Sequence, residues 1–67
     1  MRVIINGKPE ELTGTTVLEL LKAKDVEPQM VAVELNSKIL EREDLATTPV
    51  HEGDTIELLF YMGGGIR

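Results

Sequence analysis

The sequence predicts an α+β fold in which a mixed sheet of four to five strands packs on one helix. Three observations predict it. Short segments rich in Val, Ile and Leu are separated by turn residues, and one segment has helical periodicity and a helix-start signal. The chain of 67 residues also allows only one small domain.

The chain opens with a predicted hairpin. Residues 2–6 are rich in Val and Ile and are typical of a strand. Asn6-Gly7 is a strong signal for a two-residue turn, and a returning strand would run through Pro9 to about residue 12.

A single helix is predicted after the hairpin. Thr16 is followed three residues later by Glu19, which is the spacing of a capping box. The helix would extend to about Ala23, and residues 25–29, which include Pro28, would end it because the residue before a proline is driven out of the helical region. Its apolar face comprises Val17, Leu18, Leu20 and Leu21.

The second half of the chain predicts three more strands. Residues 30–35 alternate, with Val31, Val33 and Leu35 on one face of the strand. A turn at residues 36–38 leads to a short strand at 39–40, and residues 41–45 form a helical turn. A turn at 52–54 precedes the last strand, residues 55–62, which we expect in the centre of the sheet.

The last strand has two faces with different predicted roles. Ile56, Leu58 and Phe60 share one parity with Met62 and are expected in the core. Leu59 and Tyr61 lie on the other face and, with Ile4 of the neighbouring first strand and Met62 at the junction with the tail, would form an apolar docking patch. The alternative is that these are scattered surface residues without a role.

The C-terminal residues differ from the rest of the chain. Gly63, Gly64 and Gly65 have no side chains with which to pack, so we expect a domain at 1–62 and a flexible Gly-rich tail at 63–67. A backbone without Cβ atoms could lie extended in a narrow channel of a partner. The tail would then present its carboxyl group as a substrate.

Composition excludes several classes of function. The sequence has no Cys, which removes disulfides, thiolate metal sites and a thiol nucleophile. A formal charge of −5 opposes binding to nucleic acid and to anionic membranes, and favours a partner with a basic groove. No signal peptide or apolar segment of about 20 residues is present, so we expect a cytoplasmic protein.

No catalytic constellation is visible, and we expect no enzyme activity. His51 is the only histidine, and with Glu52 and Asp54 it is best interpreted as part of a solvated turn. The glycine run lacks the lysine and the following helix of a phosphate-binding loop. We therefore expect neither a metal nor a cofactor bound by this chain.

The order of the motifs resembles that of the ubiquitin-like sulfur carriers, most closely the thiamine-biosynthesis carriers of the ThiS type. The resemblance covers nearly the whole chain. It rests on VIINGKP in the hairpin, TVLELL in the helix, VAVELN in the third strand, ATT at residues 46–48, and EGDTIELL before the terminal glycines. It implies the β-grasp, or ubiquitin-like, fold.

The resemblance also implies a reaction cycle. An E1-like adenylyltransferase (ThiF-like), using ATP and Mg²⁺, would join the terminal glycine carboxylate to AMP, and sulfur would displace AMP to leave a thiocarboxylate. A thiazole synthase (ThiG-like) would then take the sulfur. In this chain the thiocarboxylate acceptor would be Gly65, or Gly64 as the second choice.

One feature departs from the family pattern, because Ile66 and Arg67 follow the glycines. A peptidase is expected to remove them, since a β-branched side chain and a long cation would not thread a channel shaped for glycine. Four alternatives stay open: a carrier for a thio-metabolite or methionine pathway, a molybdopterin carrier, a ubiquitin-like protein modifier and a plain interaction module.

Overall fold

The computed structural model describes residues 1–13 and 16–61. Two 3₁₀ turns, Pro28–Met30 and Arg42–Asp44, join a set of regular elements. These are β1 Arg2–Ile5, β2 Lys8–Glu11, α1 Val17–Ala23, β3 Val31–Leu35, β4 Lys38–Leu40 and β5 Thr55–Phe60. Among the described residues, no helix has the length and apolar character needed to cross a bilayer.

The sheet has the strand order β2-β1-β5-β3-β4, so β5 is central, as predicted. β1 pairs with β5 in parallel, whereas the other neighbouring pairs are antiparallel. A mixed sheet of five strands over one helix is the β-grasp arrangement, and the predicted fold class is confirmed.

Both hairpins turn through residues with positive φ. Asn6 and Gly7 have φ angles of 51° and 83°, as the predicted Asn-Gly turn requires. The second hairpin uses Asn36 and Ser37, with φ angles of 51° and 74°. A serine in this region is uncommon, because its Cβ crowds the backbone there.

The helix starts where the sequence predicts and ends by a different mechanism. Thr16 is the N-cap, and its side chain accepts a hydrogen bond from the backbone N–H of Glu19 at 3.2 Å. At the other end, Asp25 has φ 62°, and the N–H of Val26 donates to the carbonyl of Leu21 at 2.8 Å. This left-handed C-terminal motif stops the helix before Pro28, which instead begins a 3₁₀ turn.

The core lies between the helix and the inner face of the sheet. The buried apolar residues are Val3, Ile5, Val17, Leu20, Leu21, Val31, Val33, Leu45, Val50, Ile56 and Leu58. The expectation that Phe60 also belongs to the core is wrong, since it is 57% exposed. α1 spans 7 residues, a length of about 10 Å. We attribute the exposure of Phe60 to the short length of this helix, which packs on the inner face of the sheet.

Candidate functional site

The central strand β5 is held by two asparagine side chains from the hairpin turns. Asn6 accepts a hydrogen bond from the N–H of Leu58 at 2.7 Å and donates to its carbonyl at 3.4 Å. Asn36 accepts from the N–H of Thr55 at 2.9 Å. The amide of Asn6 therefore continues the pairing of β5 beyond Ile5, the last residue of β1.

The C-terminal tail departs from the end of this anchored strand. The N–H of Tyr61, the last described residue, donates to the carbonyl of Met30 at 2.9 Å. This bond continues the β3–β5 register one step past Phe60. The predicted acceptor Gly65 (or Gly64), the threading residue Gly63 and the junction residue Met62 all lie outside the described residues.

The outer face of the sheet carries part of the predicted docking patch. Leu59 and Tyr61 are 55% and 49% exposed. Ile4 is half-buried and pairs with Thr55, four residues before Leu59 along β5, which corresponds to about 13 Å. The structure thus separates Ile4 from Leu59, and the docking role of the patch stays a prediction.

The pairing of β3 with β4 and β5 places two further apolar residues near Leu59 on the outer face of the sheet. Ala32 of β3 lies directly opposite Leu59. Ile39 of β4, which is 56% exposed, lies opposite Glu34 in the next row. Only the pairing of β3 with both β4 and β5 places these residues on one surface with Leu59, so local sequence patterns could not indicate them.

Two carboxylates lie opposite each other on the same face. Glu34 of β3 and Glu57 of β5 are register partners, and both are half-buried. Within residues 1–13 and 16–61, neither has an ion pair or a side-chain hydrogen bond. The residues are 23 positions apart in the chain, so no local sequence pattern indicates that they meet.

A groove of about 500 Å³ lies beside the origin of the tail. Tyr61 forms part of its wall, and the buried side chains of Val31, Val33 and Leu45 also line it. The lining comes from separate segments of the chain, which is why no single motif predicted it.

The turn around His51 is built by hydrogen bonds. Its backbone N–H donates to the Asp54 carboxylate at 2.7 Å, and its Nδ1 lies 3.9 Å from the same oxygen. The imidazole is largely exposed. In the part of the chain that the structure describes, no group of three or more His, Cys, Asp or Glu side chains could hold a metal ion.

A mixed sheet over one helix, whose central strand leads into a glycine-rich terminus, defines the class of ubiquitin-like β-grasp proteins. The model of the ThiS family matches residues 3–65. The chain belongs to the ThiS family, as the motifs had indicated.

Solved structures agree with this assignment. A crystal structure of the thiamine biosynthesis protein ThiS from Geobacter metallireducens is 45% identical, with a TM-score of 0.83 over 97% of this chain and 100% of that one. An NMR structure of a thiamine biosynthesis protein from the same organism is 44% identical, with a TM-score of 0.79 over 100% of this chain and 91% of that one.

Curated relatives fall into two kinds. The sulfur carrier protein ThiS of Thermus thermophilus is 36% identical over 63 residues, which cover 94% of this chain and 98% of that protein. Thiazole synthases of Paramagnetospirillum magneticum and Magnetococcus marinus are 33% and 35% identical over 66 residues, or 97% of this chain. The chain spans about a fifth of the length of these thiazole synthases.

Proposed function

We propose that this chain is a sulfur carrier protein that supplies the sulfur of the thiamine thiazole as a C-terminal thiocarboxylate. The observation that carries the proposal is the ThiS family match, which ends at Gly65. This end point supports Gly65 as the reacting terminus over Gly64. It also leaves Ile66 and Arg67 outside the matched region.

The fold supports a tail that acts as a substrate while the domain stays intact. β5 is paired on both sides, and the last described hydrogen bond, at Tyr61, is only two residues before Gly63. A partner can therefore hold the rigid domain and receive the glycines in a defined direction.

The chemistry requires activation, because a carboxylate is a poor electrophile. An adenylating enzyme with ATP and Mg²⁺ would form the acyl-adenylate of Gly65 and release pyrophosphate. A sulfide nucleophile would then attack the carbonyl carbon, expel AMP and lose its proton, leaving the thiocarboxylate. The carrier needs no cofactor of its own, since ATP and metal bind to the enzyme.

Thiazole synthase is the proposed acceptor of the sulfur. Two proteins named as thiazole synthases contain a segment similar to nearly all of this chain. Linking a carrier segment and a synthase in one polypeptide would raise their effective concentration for each other. This favours the thiazole pathway over the molybdopterin, thio-metabolite and methionine alternatives.

Removal of Ile66 and Arg67 is part of the proposal. With both residues present, the carbonyl of Gly65 is held in a peptide bond to Ile66 and offers no free carboxylate for adenylation. The reacting carbonyl would be out of register with the enzyme's nucleotide. A carboxypeptidase or endopeptidase that cuts after Gly65 would correct this.

Intact mass spectrometry with purified proteins tests the proposal. The full chain, a chain ending at Gly65 and a chain ending at Gly64 are each incubated with the adenylating enzyme of the same genome, ATP, Mg²⁺ and sulfide. Only with the chain ending at Gly65 do we expect pyrophosphate to be released from ATP and one carboxyl oxygen to be replaced by sulfur. Adding thiazole synthase with its substrates should convert the thiocarboxylate back to the carboxylate.

Other results would assign a different function. Modification of the full chain at the same rate would show that removal of Ile66 and Arg67 is not needed. Covalent conjugates on lysines of other proteins, recovered from cells, would identify a protein modifier. If none of the three chains is adenylated, the carrier function is wrong and an interaction module remains.

A further inference from the structure

The outer face of the sheet contains a feature that works against stability. Glu34 and Glu57 face each other across β3 and β5, at the centre of the five-stranded sheet. Residues directly opposite on neighbouring strands have Cβ atoms about 4.5–5.5 Å apart, and like charges in this position are destabilising. Partial burial weakens the screening of their repulsion by water and salt.

The surroundings do not neutralise the two carboxylates. Ile39 lies across from Glu34, and the next row of the face holds Ala32 and Leu59. Among the described ion pairs, Lys24 binds Glu10 and Arg2 binds Glu11, away from this pair. The anionic pair therefore lies between an apolar row on one side and Thr55 of β5 on the other, without a cation from the described part of the chain.

We propose that Glu34 and Glu57 together receive one arginine side chain of the adenylating enzyme when that enzyme binds the outer face. A planar guanidinium presents five donors and can bridge two carboxylates, which suits it to this pair better than an ammonium group. Leu59 and Ile39, both more than half exposed, would pack against apolar side chains around that arginine.

The position of the pair fits a partner that acts on the tail. Glu57 is eight residues before Gly65, so an extended chain spans at most about 26–29 Å between them. A protein docked on the outer face would thus have the terminus within reach of its active site. The inference rests on adenylation in the proposed function, and holds whichever pathway receives the sulfur.

A second copy of this chain fits the face less well. Two copies packed through this surface around a two-fold axis would bring two such carboxylate pairs together. The repulsion would add to that of a chain with a net charge of −5. The pair would thereby also disfavour self-association through the exposed Leu59 and Ile39.

Calorimetric titration of the adenylating enzyme with chains ending at Gly65 tests the inference. We compare Glu34→Gln and Glu57→Gln with the matched control Glu27→Gln, an exposed glutamate outside the sheet. Each sheet variant should weaken binding at least tenfold at low salt and less at high salt. The double variant should weaken binding by less than the product of the two single effects, because both carboxylates share one cation.

Urea unfolding of the same variants is the second measurement. Glu34→Gln and Glu57→Gln should unfold at higher urea concentrations than the wild type, because each removes the repulsion. Glu27→Gln should leave both the affinity and the unfolding midpoint unchanged. This combination of greater stability with weaker binding separates a binding role from damage to the fold.

Each outcome has a defined meaning. If the sheet variants bind as tightly as Glu27→Gln, the inference is overturned, while pyrophosphate release by the wild type would still support the carrier function. If binding depends on the two glutamates but no adenylation occurs, the docking surface stands and the proposed function does not. Absence of wild-type binding overturns the inference.

Discussion

At the scale of single residues, Asn6 combines a backbone role with a side-chain role. Its positive φ makes the first hairpin turn, and its amide holds the backbone of Leu58 in the central strand. The side chain thus ties a local turn to a residue 52 positions later. Glycine would satisfy the first role alone, and alanine would satisfy neither.

Substitutions at Asn6 should separate these two roles. Asn6→Gly removes hydrogen bonds to a partly buried backbone group and should lower the free energy of unfolding by about 1–2 kcal/mol. Asn6→Ala should cost about 1 kcal/mol more, because its Cβ disfavours positive φ. Urea unfolding monitored by circular dichroism measures both values.

Asn36 provides the matched control, since its hydrogen bonds to Thr55 and Asp54 are exposed to solvent. Asn36→Gly should cost less than Asn6→Gly. Equal costs at the two positions would show that the link to Leu58 contributes nothing special.

At the scale of elements, the end of α1 shows how local chemistry sets a boundary. The hydrogen bonds from Asp25 N–H to the Lys22 carbonyl and from Val26 N–H to the Leu21 carbonyl close the helix. The position with positive φ is occupied by an aspartate, where glycine is the usual residue. A negative charge at a helix C-terminus also opposes the helix dipole.

Replacing Asp25 should therefore stabilise the protein. We expect Asp25→Gly to raise the free energy of unfolding by about 0.5–1 kcal/mol. Asp25→Asn removes only the charge and should give a smaller gain. Thermal and urea unfolding at low and moderate salt distinguish the two contributions, since only the charge effect is screened. A loss of stability in Asp25→Gly would contradict this account of the helix end.

At the scale of the whole molecule, stability and the proposed chemistry occupy different parts of the chain. Within residues 1–13 and 16–61, the buried core begins at Val3 and ends at Leu58. The proposed reacting group, at Gly65, is seven residues beyond Leu58. Folding and sulfur transfer should then be separable by truncation.

Deletion of residues 64–67 tests this separation. The free energy of unfolding should change by less than about 0.5 kcal/mol, since all the core residues in the described part of the chain are kept. Thiocarboxylate formation should be abolished. A chain ending at Gly65 is the control and should retain both properties. A large loss of stability on deletion would instead show that the tail packs on the domain.

Sequence patterns predicted the features that depend on residues close together in the chain. Asn6-Gly7, the capping residue Thr16 and the alternation in β3 are local signals, and each predicted its element correctly. Phe60 was misassigned because parity indicates the face a residue occupies and not whether anything covers that face. The helix ends where the sequence predicts, before residues 25–29, but the cause is the positive φ of Asp25 and not Pro28.

By itself the sequence determined the fold class, the central position of the last strand and the family, because these depend on the order of local motifs. Tertiary structure alone decided which residues share the outer face. Strand register separates Ile4 from Leu59 and brings Glu34 opposite Glu57. The reason is physical: a side chain's face follows from a period of two along the strand, whereas its neighbours depend on pairing between strands that are distant in the chain.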